Sequence, residues 1–177
     1  MGGRTGVVVS LAAAGERTMA SDRGAGPDLT AQDLEESWFD CDVLHVSGYA
    51  LAVEPMASAA AAAVETARRR GALVSLDLSA AALAGDDFRR RARALGADLV
   101  FATERERDAL GPLDARWIVK RGRAGITVDG EDWTAAPTEV VDTTGAGDAL
   151  AAGFLLGGPE LGLEAAARCC ARVGAQP

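Results

Sequence analysis

The chain has no apolar run of membrane-spanning length, and its start, Met1-Gly2-Gly3-Arg4-Thr5, carries no secretory apolar segment. It also lacks an excess of positive charge. A net charge of −8 over 177 residues argues against a nucleic-acid backbone or an anionic membrane as partner. Cysteine is scarce: Cys41, Cys169 and Cys170 form an odd set with an adjacent pair, which is no disulfide framework and suits a reducing cytoplasm. Cys41 and His45 have a spacing that can share a metal on a helix, but no second pair completes a site, and burial in a core is the reading adopted. Lysine is almost missing, because of 18 basic residues only Lys120 is a lysine. No internal repeat, low-complexity tract or Walker-type Gly-x-x-x-x-Gly-Lys occurs, so P-loop phosphate binding is excluded.

What is present is a soluble globular composition, 49% hydrophobic and 25% charged, at a length that fits one domain spanning residues 1–177. Thr5–Leu11 reads as a strand, with a hairpin partner at Glu16–Ala20 reached through Ala14-Gly15. A short helix is expected near Thr30–Ser37, capped by Asp28 or Thr30, followed by a buried strand at Asp42–Gly48. A long alanine-rich helix at Glu54–Arg70 stops at Gly71. Strands at Ala72–Asp77 and Asp98–Ala102 flank a helix near Asp86–Leu95, a strand–helix alternation that predicts parallel βαβ units covered on both faces. From Arg116 the strands become short and glycine-separated (Trp117–Lys120, Gly125–Val128, Trp133–Ala135), as in a meander. Helices at the Gly145 region and around Leu161–Arg172 complete the chain. Ligands of open α/β sheets gather at the carboxyl ends of parallel strands, so Asp77, Thr103–Glu106 and Lys120–Gly122 are expected to face one crevice.

The richest stretch is Val140–Phe154. It starts as a β-branched strand, passes Asp142, Thr143, Thr144, Gly145, Ala146, Gly147 and Asp148, and continues as a small-residue helix. Thr143 or Thr144 is expected to cap that helix, and the glycines let the backbone turn with its amides uncovered. Free N–H groups at a helix start attract an anion such as phosphate. A carboxylate there opposes simple phosphate binding. Its functional reading is that Asp148 accepts the proton of a hydroxyl while the amides of Gly145, Ala146 and Gly147 stabilise a phosphoryl group in transfer. The plain alternative is ordinary helix-start charge and ordinary turn glycines. A dinucleotide fold is rejected, because Leu150 stands where that motif needs a small residue.

Asp142-Thr143-Thr144-Gly145-Ala146-Gly147-Asp148 resembles the C-terminal signature of the ribokinase (PfkB-type) carbohydrate kinases. The resemblance implies a ribokinase-like three-layer α/β/α sandwich with a mostly parallel sheet. It implies transfer of the ATP γ-phosphate to a sugar or nucleoside, with Asp148 as base and Gly145, Ala146 and Gly147 as anion hole. Lys120, Gly122 and Gly125 resemble the family's Lys-x-Gly-x-x-Gly along the nucleotide. Thr103 stands at the Asn of an Asn-x-x-Glu whose Glu, here Glu106, helps hold Mg2+. Asp77-Leu78-Ser79 keeps only the Asp of Asp-x-Asn, which touches metal-bound water or caps the next segment. Asp142 and Thr144 match positions that bind a monovalent cation such as K+, together with a closing loop like Gly174-Ala175-Gln176-Pro177. Cys169 and Cys170 read as small apolar packing residues. The family's N-terminal part, with its Gly-Gly sugar motif, normally precedes a stretch like Thr5-Gly6-Val7. The expectation is therefore a C-terminal nucleotide-binding portion, with an exposed edge at the Thr5 strand and a homodimer left open. The alternative is a truncated, non-catalytic nucleotide-binding or oligomerising relative.

Overall fold

The computed structural model describes residues 3–13 and 16–175. Strands β1 (Val7–Ala13) and β2 (Glu16–Asp22) pair antiparallel as a separate ribbon. The Ala14-Gly15 turn expected between them lies outside the described residues, as do Gln176 and Pro177 of the closing loop. The main sheet has six strands: β3 (Val43–Ser47), β4 (Leu73–Asp77), β5 (Leu99–Thr103), β6 (Arg116–Lys120), β7 (Ile126–Val128) and β8 (Glu131–Trp133), neighbours in that order. β3 to β6 run parallel, and β7 and β8 fold back antiparallel, so parallel units do give way to a meander.

Side-chain alternation along these strands builds two cores. Helices α1 (Met56–Arg69), α2 (Asp86–Leu95) and α3 (Glu104–Leu110) cover one face. Their Val64, Phe88, Leu95 and Leu110 pack with Val46, Val74, Leu76, Val100 and Ala102. Helix α4 (Ala146–Cys170) covers the other, placing Leu150, Phe154 and Leu163 against Phe101, Ile118, Ile126 and Val128. Phe154 meets Phe101 edge to face with ring centres 5.4 Å apart. The result is the expected three-layer α/β/α sandwich. Every parallel strand presents its carboxyl end on the same side, where Asp77, Thr103 and Lys120 stand.

Three local expectations change. The helix near Thr30–Ser37 is instead a series of 3-10 turns, Gly26–Asp28, Ala31–Asp33 and Glu36–Phe39. There the Thr30 amide and hydroxyl both donate to Asp33, at 2.9 and 2.7 Å, so Thr30 caps as expected, but the turn it starts ends where Leu34 takes up extended backbone. β3 is not a fully buried strand: among the described residues it is the sheet's edge, with Ser47 exposed and the His45 side chain only partly covered. Val140 and Val141 form no strand, because the Val141 and Asp142 amides both bond the Cys170 carbonyl, at 2.8 and 3.1 Å, tying the segment to the end of α4.

α4 is broken at Gly157 and Gly158, ahead of Pro159, and its second half folds back along the first. A Cβ on Gly153 would lie 2.6 Å from the Leu161 carbonyl oxygen and 2.9 Å from Gly162 Cα, so the two halves touch backbone to backbone. Gly153→Ala is expected to lower unfolding free energy by about 1–3 kcal/mol. Gly26→Ala, at a site with nothing within 4 Å, should change it by no more than about 0.5 kcal/mol. Urea denaturation of the two variants checks this, and equal effects would mean that the helix halves are not in contact.

Candidate functional site

The start of α4 is shaped by Gly145, which takes φ +79° at the N-cap. A side chain there would be strained, and its Cβ would lie 2.5 Å from the Ala175 carbonyl oxygen. Neither threonine caps the helix with its side chain, contrary to expectation. Thr144 is taken up elsewhere: its amide and hydroxyl both donate to Asp142 Oδ1, at 2.9 and 2.7 Å. The other Asp142 oxygen accepts the Gly174 amide at 3.1 Å. Asp142 therefore closes its own turn and fastens the final loop to it. The Cys169 thiol donates to the Thr144 carbonyl at 3.2 Å. Burial, with Cys170 and the Asp142 and Asp148 carboxylates nearby, pushes that thiol above its ordinary pKa. Its packing role is as expected and its reactivity is suppressed. With the turn held from below, the first helical turn opens outward and Asp148 is exposed on it.

Across from this turn stands Lys120, at the end of β6. Its ammonium donates to both oxygens of Asp77, at 2.8 and 3.1 Å. The pair is well shielded, with side-chain exposures of 17% and 11%. The same nitrogen lies 3.9 Å from the point a Cβ on Gly147 would occupy. Asp77 also accepts the Ser79 amide at 2.8 Å, so it caps the segment after β4 while it holds the lysine.

A cavity of about 480 Å3 opens beside the turn. Ala146 and Gly147 line it from α4, and Lys120, Gly122 and Gly125 from the β6–β7 connection. At Gly125, with φ +100°, a Cβ would lie 1.9 Å from the Trp133 carbonyl oxygen, so no other residue fits. The far wall comes from Pro137, Thr138 and the second half of α4 through Leu163 and Cys170. Sequence reading missed this wall, since its residues are plain alanines and aliphatics whose place depends on the fold-back at Gly157 and Gly158. Thr103 and Glu106 lie outside the cavity wall. They form a reciprocal capping box: the Thr103 amide donates to Glu106 Oε2 at 2.7 Å and the Glu106 amide to Thr103 Oγ1 at 3.2 Å. Glu106 is buried at the carboxyl end of β5, and Thr103 pairs in register with Lys120. Among the described residues no cluster of three His, Cys, Asp or Glu forms a ready metal centre, and no helix is long and apolar enough to cross a membrane.

Known proteins are similar to this chain in sequence and in fold. The profile of the pfkB family carbohydrate kinases matches residues 2–176. A fructokinase of Klebsiella pneumoniae is 34% identical over 85% of this chain, which spans 57% of that protein. An adenosine kinase structure from Sinorhizobium meliloti superposes with a TM-score of 0.88 at 27% identity, covering 98% of this chain and 63% of that one. An E. coli chain designated ribokinase II, in complex with ATP and Mg2+, gives a TM-score of 0.73 at 26% identity, covering 95% of this chain and 66% of that one.

The chain's sole histidine is a further neighbour of the site that its sequence position did not reveal. Cys41 packs elsewhere, with Phe39, Ala67 and Ala72, whereas His45 Nδ1 lies 2.9 Å from Ser75 Oγ and its ring meets Phe101 edge-on. Desolvation lowers the His45 pKa from its ordinary 6.5; Asp77 and Asp148 oppose the shift and Lys120 adds to it. A folded-state pKa below the unfolded one means that, as pH falls through 6.5, the unfolded chain takes up a proton that the folded chain resists. Stability should therefore fall on acidification from about pH 7.5 to 5.5, and His45→Gln should flatten that slope. Urea unfolding across this range checks it, and an unchanged slope would show that His45 stays equally protonatable in both states.

Proposed function

The chain belongs to the pfkB family of carbohydrate kinases, and from that premise we propose that it binds ATP beside α4 and transfers the γ-phosphate to a hydroxyl of a sugar or nucleoside. The observation that carries this reading is the α4 start: an exposed carboxylate, Asp148, three residues past the Gly145 turn, at a helix end that no side chain caps. Asp148 receives the proton of the acceptor hydroxyl and orients its oxygen. The N–H groups of the Gly145, Ala146 and Gly147 turn, at the positive end of the helix dipole, stabilise charge on the moving phosphoryl group. Lys120, Gly122 and Gly125 line the cavity that accommodates the nucleotide.

Mg2+, when bound with ATP, neutralises charge on the transferred group. Glu106 suits it: a hard carboxylate whose Oε2 is engaged by Thr103 and whose second oxygen remains a donor. Thr103 then acts by fixing Glu106 rather than by touching nucleotide. A monovalent cation fits less well at Asp142 and Thr144, because the Asp142 oxygens already accept N–H and O–H donors. We assign both residues to holding the anion turn. The cytoplasm supplies ATP and keeps the three free thiols reduced.

The chain spans 57% and 50% of the two curated kinases, the second a 5-dehydro-2-deoxygluconokinase of Geobacillus kaustophilus. The acceptor is accordingly read only as a sugar or nucleoside alcohol, and residues 1–177 as the domain that carries the nucleotide. A second reading, nucleotide binding without turnover, is favoured by Ser79 and Thr103 standing in place of the family's asparagines.

Asp148→Asn should reduce phosphoryl transfer by a factor of about 10²–10⁴, with ATP affinity equal or tighter because a negative charge leaves the anion site. A coupled assay with fructose and adenosine as acceptors, alongside calorimetric ATP titration, checks both halves. Turnover within a few-fold of wild type removes Asp148 from the role of base. ATP binding without transfer by the wild-type chain favours the second reading.

A further inference from the structure

Asp77 and Lys120 stand on β4 and β6, which are not neighbours, so their ion pair reaches across the carboxyl end of β5. The pair places a cation where a cation is disfavoured, beside the first turn of α4 and its positive dipole end. We propose that Asp77 is a positioning residue, holding the Lys120 ammonium against Gly147 so that the phosphates of an arriving nucleotide meet it there. The proposal rests on the nucleotide reading above.

The geometry has the parts this requires. An ammonium carries three N–H groups, and the two Asp77 oxygens leave at least one for an anion. The carboxylate is itself fixed. The Ser79 amide donates to Asp77 Oδ1, and the Ser79 hydroxyl donates to the Asp77 carbonyl at 3.2 Å. Ser79 adopts φ +65° to do so, an uncommon backbone region for a residue other than glycine. Its hydroxyl also lies 3.1 Å from that of Ser47, which ties the turn to β3. Residue type points the same way. Every other basic side chain in this sequence is arginine, yet a compact ammonium occupies the gap between Asp77 and Gly147, where a broad guanidinium fork would not fit in the same way. Without Asp77, a poorly solvated lysine at a positive helix end has no partner, and it swings out toward solvent.

The test is calorimetric titration of the 177-residue chain with ATP·Mg2+ for wild type, Asp77→Asn, Lys120→Met and the double variant. Asp77→Asn should weaken binding at least about fivefold when Lys120 is present. Added to Lys120→Met it should weaken nothing further, because it then only removes a repelling carboxylate. Asp77→Glu should recover part of the loss. Equal weakening in both backgrounds marks plain structural damage and overturns the proposal, as does an Asp77→Asn variant that binds as wild type does. A second measurement needs no variant. The single lysine gives one side-chain 15N resonance, which ATP should shift saturably and adenosine should not. If ATP binds and the resonance stays, positioning fails while nucleotide binding stands; if wild type binds no ATP, the nucleotide reading itself fails, and this proposal with it.

Discussion

A single backbone angle governs the geometry of the site. Gly145 turns at φ +79°, and because of it α4 starts with its first amides facing outward and Asp148 on the open side. That conformation is held from three directions: by the Asp142 turn, by the Gly174 amide, and by the contact with Ala175 that leaves no room for a Cβ. The acidic side chain of the loop is thus an internal brace. Its burden is structural, which frees the second acid of the motif, Asp148, to face solvent. Of two aspartates six residues apart in one signature, one is tied into the turn and the other is left exposed.

Electrostatics at the mouth of α4 follow from this division. The turn concentrates positive potential from uncapped amides, and the ammonium of Lys120 adds to it. Two like contributions side by side repel unless something opposes them, and Asp77 does so from the end of β4. A shielded ion pair of this kind adds little net stability, since desolvation offsets much of its Coulomb gain. Its presence is better understood as placement of charge than as glue. His45 registers the same field: it lies close enough to Asp77, Asp148 and Lys120 for each to move its protonation, while its own desolvation dominates.

Most of the frame was legible in the sequence because its signals are local and periodic. α2 occupies Asp86–Leu95, where capping acids and apolar spacing put it, and the buried runs at Leu73–Asp77 and Leu99–Thr103 are strands. The Asp142–Asp148 signature, too, was legible as a glycine turn opening a helix. The rest depended on contacts between distant segments or on short-range side-chain competition that periodicity does not register. Val140 and Val141 have strand-like side chains, but their place is set by the Cys170 carbonyl at the far end of a doubled helix. Thr143 and Thr144 look like caps, yet a nearby aspartate outcompetes the helix for Thr144. Thr103 and Glu106 have the i,i+3 spacing of a capping box, and the structure shows that box formed. His45 looked like a core residue because period-2 reasoning does not tell which strand lies at an edge.

The distribution of tasks also accounts for the pattern of relatedness. A fructokinase at 34% identity and an adenosine kinase at 27% resemble this chain, although a ketose and a nucleoside share little beyond an alcohol. In our reading, what such proteins need in common is the phosphoryl machinery, and here that machinery is built chiefly from main-chain groups. The anion turn is backbone amides, the β6–β7 connection is shaped by Gly122 and Gly125, and much of the cavity wall is alanine and glycine. Such a site depends on φ angles, close approaches and a few charges, so most surrounding side chains can change while it keeps its form. Acceptor choice needs the opposite, specific side chains that distinguish hydroxyl patterns. The cavity described here has few of these, Lys120, Arg123, Thr138 and Thr143 among walls otherwise mostly apolar or glycine. That imbalance is why our reading goes as far as a reaction class and leaves the acceptor as an alcohol.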